Sequence, residues 1–392
     1  MATGIPSMTR RQSAPYELAY ASKMPAREIL RLPSEESNPI EVPGKGNRLY
    51  HANNLGVLLH LLHDEEVCGK VRCVYIDPPY ATSMTFLDRE VNHAYTDVLL
   101  GAAYVEFLRR RLIVLRELMA DDGSIFVHLD QKMVFEIKLV MDEVFGRDNF
   151  RNFITRKKCN TKNYTRRTFG NVSDHILFYS KTGDYVWHRP YDAWTEQRVR
   201  EEYQFIDHVS GRRYKRVPVH APGVRRGETG KPWRGKLPPR GKHWQYLPSR
   251  LDEFDAAGEI YWSANGNPRR KVFFDPEKGV PAQDIWLDFK DAHNQNIRIT
   301  GYPTEKNYDM LKRVIAATTR PGDWVLDAFS GSGTTLEAAA ELGRRFIGID
   351  QSPAAIKATV DRLTIGRELM GDFVGKRKVQ PQIKKRELSL FE

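Results

Sequence analysis

The segment DWVLDAFSGSGTTLEAAAELGRRFIGID, residues 323 to 350, leaves a chain few folds to choose from. An apolar run leads into the glycine loop FSGSG, the loop into an alanine-rich helix, and the helix into a second apolar run ending at Asp350. Strand, crossover helix and strand make up the unit of a parallel sheet. Gly331 and Gly333 let the backbone turn tightly and approach a ligand, and the first turn of the helix offers N–H groups to a carboxylate or phosphate. Asp350 stands about 17 residues past Gly333, near the spacing at which an acid accepts from the ribose hydroxyls of an adenosine cofactor. The blander alternative is a tight strand-to-helix turn that holds no ligand.

The usual nucleotide loops do not fit. The segment has no Gly-Lys-Ser/Thr phosphate clamp, and Thr334 and Thr335 stand where the dinucleotide fingerprint has its third glycine. A cofactor with an adenosine and a carboxylate but no pyrophosphate suits the loop, and S-adenosylmethionine is such a molecule.

A second constraint lies in VYIDPPYATS, residues 74 to 83. Val74, Tyr75 and Ile76 read as the end of a buried strand. Pro78 and Pro79 have no N–H to give a ladder, so the strand stops at Asp77. The result is a stiff corner holding one carboxylate, two proline carbonyls and the ring of Tyr80 at the carboxyl end of a strand, where open α/β sheets bind ligands.

The charge is regional. Residues 151 to 250 hold 23 Lys and Arg against 8 Asp and Glu, a surplus of 15 in a chain whose net charge is +11. Six of the seven tryptophans fall between Trp187 and Trp286. A basic, aromatic segment is the footprint of a polyanion, whereas a scattered excess is a solvated surface. The candidate contacts in RKKCNTKNYTRR are Arg156, Lys157, Lys158, Lys162, Arg166 and Arg167. RRYKR adds Arg212, Arg213, Lys215 and Arg216, and KPWRGKLPPRGKHW adds Arg234, Lys236, Arg240 and Trp244.

Other classes are disfavoured. No apolar run reaches the ~18 residues of a membrane span, and the first 20 residues lack an apolar signal core, so a soluble cytoplasmic protein is expected. Cys68, Cys73 and Cys159 have neither disulfide nor zinc-ligand spacing, and no metal site is expected.

With 392 residues, two domains are expected. Residues 1–45 read as a loosely ordered leader and 371–392 as a basic tail. Strands and helices alternate over 46–181 and again over 301–370, predicting a parallel, doubly wound α/β sheet. AAYVEFLRRRLIVLRELMADDG has the spacing of a helix ended by Gly123, and GSIFVHLD and HILFYSK read as strands. Between 182 and 300 the alternation lapses, which predicts an irregular or β-rich insert.

Together these motifs resemble the amino-methylating DNA methyltransferases, in the group whose catalytic motif precedes its cofactor motif. The likeness covers most of residues 47 to 365. Asp77-Pro78-Pro79-Tyr80 resembles the catalytic tetrad, Phe329-Ser330-Gly331-Ser332-Gly333-Thr334-Thr335 the cofactor loop, and Tyr302-Pro303-Thr304-Glu305-Lys306 the motif upstream of it. ADDGSIFVHLD, NVSDHILFYSK and GETGKPWRGKLPPRGKHW are similar to stretches of the same bacterial and phage enzymes, including modification subunits of restriction systems. The chain departs from the pattern at Ala328, where relatives often have proline, at Asn53, where they often have an acid, and at Asn307, where they end the motif in proline.

The resemblance implies a Rossmann-like, S-adenosylmethionine-dependent methyltransferase sheet in permuted order, with the insert as target-recognition domain. It implies cofactor contacts from Asn53, Asp77, Thr304, Lys306 and Asp327, from Phe329 through Thr334, and from Asp350. It implies double-stranded DNA as substrate, with the target base flipped out of the duplex. A homodimer and a partner restriction endonuclease are options that the family leaves open. Asp in the first tetrad position leans toward adenine N6 over cytosine N4. RNA or protein as substrate, or a non-catalytic DNA-binding relative, are the other readings.

Overall fold

In the computed structural model, the described residues are 18–79, 96–160, 167–291, 298–299, 305–365 and 368–369. They divide into two units, one formed by the chain before and after the insert and the other by Tyr191–Ala282. Residues 182–190 and 283–291 therefore go with the first unit and not with the insert.

The first unit is built on an eight-stranded sheet. Its strands are β1 (Arg48–His51), β2 (Val71–Ile76), β3 (Met119–Leu129), β4 (Phe150–Lys157), β5 (Ser173–Ser180), β6 (Ile285–Trp286), β7 (Trp324–Asp327) and β8 (Arg345–Asp350). They lie in the order β1-β8-β7-β2-β3-β5-β4-β6. Its helices of eight residues or more are α1 (Asn54–Leu61), α2 (Thr96–Leu118), α3 (Val134–Phe145), α4 (Tyr308–Thr318), α5 (Thr334–Glu341) and α6 (Pro353–Thr364). The two faces of the sheet bury two separate cores. Leu58, Leu108, Leu112 and Ile137 from α1 to α3 cover one, and Leu311, Leu336 and Ile356 from α4 to α6 cover the other. Alternation along β2 feeds both, with Val74 and Ile76 on one side and Cys73 and Tyr75 on the other.

The permuted order has a spatial consequence. β7 runs parallel to β2 on one side and to β8 on the other, so the proline corner and the glycine loop, some 250 residues apart, emerge side by side at one sheet edge.

Three sequence expectations are corrected. The sheet is mixed, because β5 runs antiparallel to both β3 and β4. No helix is found among the described residues between β4 and β5, and without a crossover two neighbouring strands pair antiparallel. β4 itself looks in sequence like nothing more than a basic segment, since its charges hide a buried alternation. α2 ends at Leu118, and Gly123 lies within β3. A Cβ there would stand 2.9 Å from the carbonyl oxygens of Val71 and Ala120, so close strand approach demands this glycine.

The second unit contains a four-stranded antiparallel sheet in the order Ile260–Trp262, Pro268–Phe273, Arg213–Pro218, Phe205–Ile206. One face packs on a core of Val219, Trp233, Trp244, Leu251, Phe254 and Ile260. Tyr191–Asp192 pairs with Val280–Pro281, bringing the ends of the unit together as an insertion requires.

Candidate active site

β2, β7 and β8 each end in or beside an acid: Asp77 follows β2, Asp327 closes β7 and Asp350 closes β8. Asp77 is held asymmetrically. Lys306 Nζ lies 2.7 Å from its Oδ2, while Oδ1 is buried with no hydrogen-bond partner among the described residues. Pro78 is buried and Pro79 exposed. Tyr80 and Thr304 lie outside the described residues.

Behind this corner runs a buried polar chain. Tyr75 Oη lies 2.7 Å from His128 Nδ1, His128 Nε2 lies 3.0 Å from Asp174, and Asp174 lies 3.2 Å from Arg156 Nε. Burial alone would raise the Asp174 carboxyl, but His128 and then Arg156 hold it below the usual carboxylate range. The chain joins β2, β3, β5 and β4, fixing the strand end that carries Asp77.

Asp327 is buried, and burial pushes its carboxyl up to about 7. Hydrogen bonds from Thr335 and from the Phe329 N–H oppose the rise, while the charges of Asp77 and Asp350 add to it. Asp77 and Asp350 therefore lie near enough to Asp327 for the three strand ends to form one acidic edge.

The glycine loop is tied down from within. Gly331 N–H donates to Asp350 Oδ2 at 2.8 Å, and the N–H groups of Phe329, Ser330 and Gly333 go to Asp327, Ile349 O and Ser330 O. These four are therefore taken by the protein and hold the turn; they precede the helix, whose first-turn N–H groups are the ones expected to meet a carboxylate or phosphate. Gly331 and Gly333 have φ of 49° and 76°. A Cβ on Gly333 would lie 2.8 Å from Thr359 of α6, so this glycine serves loop-to-helix packing. Thr359 Oγ1 donates to Gly331 O at 2.9 Å, and Arg362 Nε donates to Ser332 O at 2.6 Å. The same buried Arg362 pairs with Glu337 at 2.8 Å and Glu305 at 2.5 Å, joining the loop to the residue before Lys306. Ser332 and Thr334 face each other through their hydroxyls at 3.2 Å.

Sequence reasoning missed Arg362, Thr359, Asn54 and Arg111. Asn54 Nδ2 donates to Ala328 O at 2.6 Å and its Oδ1 accepts from buried Arg111 at 2.6 Å, fixing the entry to the loop. Phe107 and Phe329 meet there, ring centroids 6.1 Å apart. Asn53 has a role that the sequence did not show. Its Oδ1 caps α1 by accepting from Leu55 N at 3.0 Å, a structural role that leaves the second lone pair of that oxygen for another donor.

The basic candidates separate. Arg156 is fully buried between Asp174 and Asp291 and cannot meet DNA. Trp244 is 1% exposed, its indole N–H on Lys231 O, and belongs to the insert's core. Arg234 is ion-paired to Asp252 and Asp255, and Lys215 to Glu202. Lys236 donates to Asn265 O at 2.9 Å, and Arg213 to Tyr203 O at 3.3 Å. Arg167, Arg212 and Arg240 are exposed, Lys157 and Lys158 half-buried at the end of β4, and Lys162 and Arg166 outside the described residues.

S-adenosylmethionine fits this edge. Its sulfonium and ammonium suit an acidic edge, and Asp77 Oδ1 and Ser330 Oγ, buried and unpartnered among the described residues, suit a ligand or substrate group. The family of N6/N4 methyltransferases, described as DNA methylases, matches residues 71–361. The chain is 52% identical over 305 residues to the type II methyltransferase M.EcaI of Enterobacter cloacae, a match covering 78% of this chain and 67% of that one. It is 26% identical to the StyLTI Mod subunit, a type III restriction-modification enzyme of Salmonella typhimurium, over 82% of this chain and 54% of the subunit. The solved M1.HpyAVI–SAM complex aligns with a TM-score of 0.43 at 16% identity, over 80% of this chain and 97% of that one. A match spanning most of both sheet halves, joined to an alignment at 52% identity, makes this chain a member of the N6/N4 DNA methylase family, with S-adenosylmethionine as its methyl donor.

Proposed function

We propose that the chain methylates the exocyclic N6 amine of adenine in double-stranded DNA, at a site chosen by the 191–282 unit. The observation that carries this reading is the state of Asp77, one oxygen pinned by Lys306 and the other buried and open. An exocyclic amine conjugated with a purine ring is a poor nucleophile because its lone pair is delocalised. Asp77 Oδ1 and the Pro78 carbonyl each accept one N–H, which draws the nitrogen toward tetrahedral geometry and frees the lone pair. Bound S-adenosylmethionine would supply the methyl group of its sulfonium, and would leave as the neutral thioether as that carbon–sulfur bond breaks. As the N–C bond forms, the nitrogen gives up one proton through its hydrogen bond to Asp77. Tyr80 stacks on the extruded base, since the amine cannot be reached inside the duplex.

Asp as the first residue of the tetrad supports adenine over cytosine. Long-read sequencing of DNA from cells expressing the protein reports base and site together. N6-methyladenine at one recurring sequence is expected, and N4-methylcytosine there would overturn the adenine reading. Exchanging Tyr191–Ala282 for the matching span of a relative is expected to move the site and leave the modified atom unchanged.

A further inference from the structure

Most cations of the insert whose contacts are seen have a partner. Lys215 pairs with Glu202, Lys271 with Asp207, Arg270 with Glu259, and Arg234 with Asp252 and Asp255. Arg216 has no carboxylate partner among the described residues. Its guanidinium lies between two rings, 3.6 Å from the centroid of Phe205 and 3.5 Å from that of Tyr261. Its Nε is buried without a hydrogen-bond partner among the described residues, and one Nη reaches Tyr214 Oη at 3.4 Å.

The sheet explains why these groups meet. Arg216 is opposite Lys271, Tyr214 opposite Phe273 and Phe205, and Tyr261 opposite Arg269. Opposed residues share a face, and alternation along each strand puts all of them on the same one. Ile260 and Trp262 point the other way, onto the tryptophan core. The aromatic and cationic face opens on a cavity of 570 Å³ lined by Arg216, Phe205, Tyr261, Lys215, Arg269 and Glu202, among others.

A guanidinium with both faces covered has only its in-plane N–H groups left to offer. Stacking also fixes their direction, which lowers the entropy lost when they bind. A phosphate also accepts from a fork, but its tetrahedral oxygens can be approached in many planes, so a donor plane fixed on both faces gains it little. A guanine edge asks for both fork and fixed plane, since O6 and N7 accept side by side in one plane from a forked donor. From this geometry we infer that Arg216 reads a guanine in the recognition sequence through its major-groove edge, with Phe205 and Tyr261 as the clamp that orients it. The inference rests on the proposed DNA methylation and deepens it.

The test uses the full-length protein and duplexes carrying the site that it methylates in cells, with binding read by fluorescence anisotropy over a series of salt concentrations. Each guanine is replaced in turn by 7-deazaguanine, which lacks the N7 acceptor. One position is expected to cost the parent roughly 10- to 100-fold in affinity. Arg216→Lys keeps the charge and loses the fork, so it should keep the salt slope yet become indifferent to 7-deazaguanine at that position. Arg216→Ala should be equally indifferent. If Arg216→Lys binds as the parent does and keeps its sensitivity, the inference fails. It also fails if Arg216→Ala lowers the slope by about 0.9 with selectivity intact, for then Arg216 contacts a phosphate. Thermal melting excludes misfolding of either variant, and Tyr261→Ala, which leaves Arg216 in place but unclamped, should weaken discrimination in part. Absence of methylated DNA in cells would instead defeat the proposed function, and is read separately from these ratios.

Discussion

Lys306 Nζ sits 2.7 Å from Asp77 Oδ2 and thereby decides which oxygen of that carboxylate remains available. Oδ1, buried and unpartnered among the described residues, faces whatever enters the proline corner. On the proposed mechanism, Asp77→Ala should lower kcat by at least 100-fold while S-adenosylmethionine binding, measured by calorimetry without DNA, changes by less than about tenfold. Asp77→Asn should retain more activity, because its carbonyl still accepts one N–H. Lys306→Met frees Oδ2 to rotate and should cost roughly 10- to 100-fold in kcat, with Lys306→Arg recovering part. Near-parental turnover by Asp77→Ala would remove Asp77 from the chemistry.

Asp327 gives the protein a pH dependence near neutrality. Its carboxyl ordinarily titrates near 4 and in the fold is pushed up to about 7 by burial. A raised pKa means that the folded state favours the protonated form. The associated stability is complete below about pH 4 and is lost as pH rises to 7, on the order of 4 kcal/mol from a shift of this size. Asp327→Asn cannot ionise, so its denaturant midpoint should lie above the parent's at pH 8 and show a flatter profile from pH 5 to 8. A cationic cofactor beside Asp327 favours the ionised form, so parental affinity should rise across pH 6 to 8 and that of Asp327→Asn should not.

Gly333 carries a prediction that points away from the ligand. At φ 76°, and with a would-be Cβ 2.8 Å from Thr359, Gly333→Ala should cost about 1–3 kcal/mol in chemical denaturation. The cost arises between loop and helix. Gly333→Ala combined with Thr359→Ala should therefore lose less than the sum of the two single changes, whereas strict additivity would mean the pair does not meet.

The features legible in the sequence are those that glycine and proline impose locally. The stop at Asp77, the turn through Gly331 and Gly333, and the acid at Asp350 arise from backbone permissions that need no knowledge of neighbours. Burial of charge is not legible in this way. Arg156 stands in a run of lysines and arginines that reads as a polyanion footprint, yet its partner Asp291 lies 135 residues away and is brought to it by β4 and β6. Trp244 reads as a surface aromatic for the same reason, since the residues that enclose it come from separate turns of the insert. β5 reverses the expected sheet, and the hydrophobic pattern of a strand carries no record of the direction in which it runs.

Arg362 shows the limit most clearly, and it can be tested. In sequence it is one arginine in the polar pattern of a helix; in the fold it is buried and joins Ser332, Glu337 and Glu305. Arg362→Met leaves two carboxylates without their cation and should destabilise the protein by about 3–5 kcal/mol. That result alone would not separate support of the fold from support of the cofactor loop. Adding Glu305→Gln and Glu337→Gln removes the stranded charges, and stability should return in large part. The Ser332 carbonyl still lacks its donor in that triple variant, so the loop stays untied and S-adenosylmethionine affinity should remain at least tenfold below the parent's. If affinity returned together with stability, Arg362 would be a partner for two acids and nothing more, and the tether between the glycine loop and the Glu305–Lys306 segment would have no part in holding the cofactor.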